Sequence, residues 1–143
     1  MEMLNAISPG LSAIFPTAQL QLAKKYLGKY KGEISRLEES LKKCPALGDT
    51  IGMDEHPAAF HYFYKSVDIY ICEYSPEKRL MFGYSVMFGN LENSEWGYID
   101  LDSILTMVFL NLDLYWGGRS IEAALYEKYP DFFEKPLSLG ERG

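Results

Sequence analysis

The chain has 143 residues, 48% of them hydrophobic and 15% aromatic, and a formal net charge of −6. That length and apolar content suit one globular domain with its own core, and they exclude global disorder. The acidic balance argues against nucleic acid as a partner, because phosphate binding needs a basic face.

Charge is unevenly placed: Thr17–Cys44 holds seven Lys/Arg and three Glu, and the remainder seven Lys/Arg and seventeen Asp/Glu. Two cysteines, Cys44 and Cys72, make no disulfide framework. The start, "MEMLNAISPG", lacks the basic and apolar regions of a secretory signal. The greasiest run, Ile104–Trp116, is too short to span a bilayer and carries Asp113. A soluble cytoplasmic protein with no membrane contact is expected.

"SPGLSAIFP" predicts a short helix with Ser8 as N-cap and Pro9 as its first residue. From Thr17 to Cys44, apolar residues recur at helical spacing: Leu20, Ala23, Leu27, Tyr30, Ile34, Leu37, Leu41 and Cys44. One continuous amphipathic helix is expected, capped by Thr17 and stopped by Pro45, with two helices broken near Gly32 as the alternative. "PALGDTIGMDEHP" reads as a loop. Strands follow over Ala58–Lys65, Val67–Tyr74, Arg79–Gly89 and Trp96–Leu101, closely spaced as in an antiparallel meander. "DSILTMVFL" suggests a short helix capped by Asp102 or Ser103, and "NLDLYW" a fifth strand. Ser120 caps a final helix that Pro130 ends, and the tail "SLGERG" is expected to fray. The fold class is α+β. An antiparallel sheet of four to five strands packs on a long N-terminal helix, with a C-terminal helix added. The organisation is one domain over residues 1–143. Its N-terminal region, residues 1–45, is helical; residues 58–116 form the sheet core; residues 117–143 form a C-terminal helix and tail.

Strand alternation assigns two faces. Val67, Ile69, Ile71, Leu80, Phe82, Tyr84, Val86 and Phe88 form the expected core face under the long helix. Asp68, Tyr70, Cys72, Tyr74, Met81, Gly83, Ser85, Met87 and Gly89 form the reverse, joined by Trp96 and Tyr98 if the turn keeps parity. Either Ile104–Phe133 folds over that aromatic reverse face, or it is left for a second copy or another protein.

The segments "DIYICEYSP", "LMFGYSV", "SEWGYIDLDSI" and "NLDLYW" supply Glu73, Pro76, Phe82, Gly83, Glu95, Gly97, Tyr98, Leu101, Asp113, Leu114 and Tyr115. Through these the stretch Phe60–Trp116 resembles an uncharacterised bacterial domain-of-unknown-function family. That family is found on plasmids, phages and integrative elements near anti-restriction genes. Trp96 departs from the small aliphatic residue usual there, and the basic residue before the last Asp is missing. The resemblance implies a compact α+β domain and a mobile-element setting, and no established reaction.

Chemistry is sparsely signalled. His56, His61 and the two cysteines show no zinc spacing, so neither metal nor cofactor is expected. A Cys72–His61 pair on neighbouring strands is geometrically accessible, with inert packing the plainer reading. Asp54, Glu55, Glu73, Glu95, Asp100 and Asp102 read as a solvated rim, although Glu73 and Glu95 stand at strand ends as candidate acid/base groups. Gly117–Gly118 before a helix start reads as a plain loop or an anion site. The expected function is a non-enzymatic protein-interaction module that counters a host defence component. Its binding surface would be built from Tyr70, Glu73, Tyr74, Glu95, Trp96 and Tyr98. Its partner is another protein or a second copy. The alternatives are a small enzyme with a carboxylate pocket, and nucleic-acid binding through Lys24, Lys25, Lys29 and Lys31.

Overall fold

The computed structural model describes residues 6–140. Five strands, β1 (Phe60–Tyr64), β2 (Val67–Ser75), β3 (Leu80–Val86), β4 (Glu95–Asp100) and β5 (Asn111–Leu112), form one antiparallel sheet in the order β4-β3-β2-β1-β5. The expected meander is present in β1–β4, and the fifth strand adds only two residues beyond β1.

Among the described residues, the N-terminal region is three helices. In α1 (Pro9–Ser12), Ser8 caps the Leu11 amide as expected. Thr17–Cys44 is broken into α2 (Thr17–Lys25) and α3 (Lys31–Lys43), separated by turns over Tyr26–Tyr30. The single long helix is therefore corrected, and the break comes before Gly32. A straight helix over those residues would run about 42 Å, whereas the longest strand, β2, extends about 30 Å. Breaking the helix keeps both halves over the sheet. Gly28 lies in the break, where it escapes the ~1 kcal/mol penalty of a helix interior. The apolar stripe survives: Ala23, Ile34 and Leu37 are buried, and Leu20, Leu27, Tyr30, Leu41 and Cys44 pack beside them. Thr17 is a helical residue and Pro16 is the N-cap, with no side-chain capping bond.

α1–α3 cover one face of the sheet, where Leu11, Ile14, Phe15, Ile34 and Leu37 meet Phe60, Tyr62, Val67, Ile69 and Ile71. Two polar ties fix this layer. Glu38 of α3 accepts from the Ser8 amide at 2.8 Å and hydroxyl at 2.6 Å. Gln19 of α2 exchanges two 2.7 Å bonds with the Leu112 backbone, pairing β5's outer edge as another strand would.

The reverse face is covered by α5 (Ile121–Lys128), capped by Ser120, and by Trp116. Of the segment Ile104–Phe133, only its later portion lies there. Ile104, Leu110 and Leu112 join the first core. α4 (Leu101–Leu105) is capped by Asp100 through the Ser103 amide, not by Asp102 or Ser103. The tail does not fray at Ser138, whose amide and hydroxyl donate to Glu55 at 3.0 and 2.6 Å. Residues 141–143 lie outside the described residues.

The face assignment of β3 is inverted relative to expectation. Ile69 pairs with Ser85, Ile71 with Gly83, and Tyr70 with Tyr84. Phe82, Tyr84 and Val86 therefore pack on the reverse face, while Met81 faces the first core. The cause is packing complementarity. The bulky β2 row sits beside small Gly83 and Ser85, and the bulky β3 row looks the other way. A bulge between Ile71 and Glu73 then turns Tyr74 into the first core beside Met81.

Candidate functional site

The reverse face carries the chemistry. Trp96 pairs across from Tyr84, and Tyr98 across from Phe82, so both β4 aromatics join that face. Phe82 stacks on Trp96 at 6.0 Å and meets Tyr98 edge-on at 5.3 Å. His56 reaches over from the 45–57 loop to 4.5 Å from the Trp96 ring. These groups, with Gly48, Thr50, Ile51 and Glu73, line a cleft of about 290 Å³. A second cleft of about 520 Å³ shares Trp96 in its lining and runs to Glu122, Phe133 and Glu134. A third, of about 780 Å³, lies between α3 and the Gly117–Ser120 loop, and its charged residues mix both signs.

Glu73 is the floor of the first cleft, and it is fully committed. Its oxygens accept from the Gly48 amide at 2.7 Å, the Thr50 amide at 2.9 Å, and the Thr50 hydroxyl. Burial opposes its charge, but the Thr50 hydroxyl and the two amides outweigh that and hold its carboxyl below the usual range. Glu73 therefore pins the 46–53 loop to β2. Glu95 pairs opposite Ser85, on the other face, and is exposed. The two carboxylates do not converge.

The remaining candidate residues are spread between core and surface. Tyr70 and Tyr74 are buried, on opposite faces, whereas Trp96 is 37% and Tyr98 67% exposed. Lys24, Lys25, Lys29 and Lys31 are all exposed around the α2–α3 break, and Lys25 and Lys29 lie over the rings of Tyr26 and Tyr30.

Sequence reasoning missed a buried ionic chain beneath α5. His61 of β1 is bonded through Nε2 to Asp68 of β2 at 2.7 Å and through Nδ1 to Asp113 at 3.0 Å. Lys128 of α5 donates to the second Asp68 oxygen. The His61 ring stacks on Tyr70 at 4.7 Å and tilts against Trp116 at 4.8 Å. Burial disfavours the imidazolium, yet the two carboxylates overcome it and raise the His61 pKa. Burial also works against Asp68, but His61 and Lys128 keep it ionised below the usual range. With both ring nitrogens engaged, His61 has no lone pair to offer a substrate. The sequence signal was Asp68 itself, a charge inside an apolar strand.

The cysteines are not activated. Burial pushes the Cys72 thiol up to about 11 and the Cys44 thiol up to about 12. Cys72 faces the Thr50 hydroxyl at 3.7 Å, not His61. Arg119, after the two glycines, lies over Trp116 and pairs with Glu127 at 2.6 Å. No protein-family model matches the chain, and no curated protein or solved structure matches it either. Among the described residues no group of His, Cys, Asp and Glu is arranged to hold a metal, and no helix is long and apolar enough to cross a membrane.

Proposed function

We propose that the chain is a protein-interaction module that receives an extended partner segment along β4, over the cleft built from Trp96, Tyr98, Phe82 and His56. The observation that carries this reading is the asymmetry of the two sheet edges. The β5 edge is paired by the Gln19 amide, whereas β4 ends the sheet, with no strand beyond it among the described residues and two exposed aromatics on its cleft side. An open edge offers main-chain donors and acceptors, and neighbouring pockets add side-chain selectivity. The commitment of His61, Glu73 and both thiols to internal contacts supports binding over catalysis. The resemblance to a mobile-element family makes a bacterial host-defence protein the partner class, met in the cytoplasm.

The test is affinity capture from bacterial lysate with the native chain, Trp96→Ala and Tyr98→Ala, followed by amide exchange on the captured complex. Each substitution should lower capture roughly tenfold, and β4 amides should become protected in the native complex. A partner held equally by both variants, with β4 exchange unchanged, contradicts the reading. A concentration-dependent dimer that both variants dissolve would make the partner a second copy.

A further inference from the structure

The second cleft specifies what a partner must bring. Tyr84 meets Trp96 at 5.3 Å with an 84° interplanar angle, and Phe133 at 5.8 Å with an 80° angle. Two rings thus stand nearly perpendicular to a third. Around this corner the lining adds the carboxylates of Asp54, Glu55, Glu122 and Glu134, and among the described residues no lysine or arginine. Glu122 is bonded to His56 at 2.7 Å, while Asp54 and Glu134 are exposed. The volume, about 520 Å³, is ample for one long side chain.

Aromatic faces attract cations through their quadrupole, and the attraction grows as water is excluded. Carboxylates at the rim add long-range attraction and disfavour anionic side chains. Trp96 lines this cleft and belongs to β4, so a strand laid on that edge passes the cleft mouth. Resting on the β4 reading, we infer that the partner segment carries a lysine or arginine whose cationic end enters the corner formed by Trp96, Tyr84 and Phe133. Charge complementarity selects this occupant over an acidic or purely apolar segment.

The test titrates the full chain with n-butylguanidinium and n-butylammonium, with n-butanol as neutral control, following the Trp96 indole by NMR. The cations should shift that signal saturably, and n-butanol should not. Asp54→Asn combined with Glu134→Gln changes only exposed groups and should weaken cation binding about tenfold, with the fold intact by circular dichroism. Raised salt should weaken binding in the native chain more than in this variant. An indole unmoved by either cation, or moved equally by n-butanol, overturns the inference. If the captured partner still protects β4 in that case, the inference alone fails. If β4 is unprotected in the complex, the reading beneath it fails as well.

Discussion

His61 is where single residues matter most to stability. It links β1, β2 and the residue after β5 to α5 through two carboxylates, and Asp68 is almost wholly buried. Asp68→Ala leaves the buried His61 Nε2 without its acceptor while Asp113 still holds the other nitrogen, so it should cost about 1–3 kcal/mol by urea unfolding. The pH dependence has a defined sign. The His61 pKa is raised in the fold, so its contribution is full below its ordinary value near ~6.5 and is lost as pH rises through the folded value. The Asp68 and Asp113 values are depressed, so their contribution is present above ~4 and is lost as pH falls through the folded values. Stability should peak between these limits, and His61→Asn should flatten the loss on the alkaline side. A native chain whose urea midpoint rises through neutral to alkaline pH would contradict this. The ion chain was not legible beforehand because Asp113 is far from Asp68 in sequence, and only the fold joins them.

At the scale of elements, the bulge in β2 decides which groups can meet. Gly83 allows it: a Cβ there would come within 1.8 Å of the Tyr70 carbonyl oxygen. Gly83→Ala must therefore shift one strand against the other and should destabilise by about 3 kcal/mol, at the upper end of overpacking costs. An unchanged thermal midpoint would show that β2 and β3 pair differently. Glu73 sits just past the bulge and holds the 46–53 loop. Glu73→Gln should speed exchange of the Gly48 and Thr50 amides while leaving β1 and β2 amides slow, since charge-assisted bonds are worth about 1.5–3 kcal/mol. Equal acceleration everywhere would mean that Glu73 supports the whole fold and not the loop. Element types were legible from periodicity and caps such as Ser8 and Ser120. The break after α2 stood only as the alternative, near Gly32, because the stripe keeps its phase across the turns. The inverted face of β3 was hidden because alternation gives parity within a strand but not between strands. Gly83 and Ser85, assigned by alternation to the aromatic reverse face, instead make room for Ile71 and Ile69.

For the whole molecule, the sheet has helices on both faces and one closed edge, and β4 is left over. The question of what covers the tyrosine-rich reverse side has a divided answer. α5 and Trp116 bury Tyr70, Cys72 and Tyr84, but Trp96 and Tyr98 remain at the open end with exposed Ile51 and Leu137 nearby. Trp96 and Tyr98 were legible as surface aromatics from "EWGYIDL". Their neighbours His56 and Ile51 were not, because a loop's composition does not say where it folds. The decisive measurement is native-state amide hydrogen exchange on the isolated chain at low concentration, residue by residue across the sheet. The β2 amides should exchange only through global unfolding, while the outward-facing β4 amides exchange orders of magnitude faster. If every β4 amide is as slow as those of β2, the edge is already covered and cannot be the docking strand.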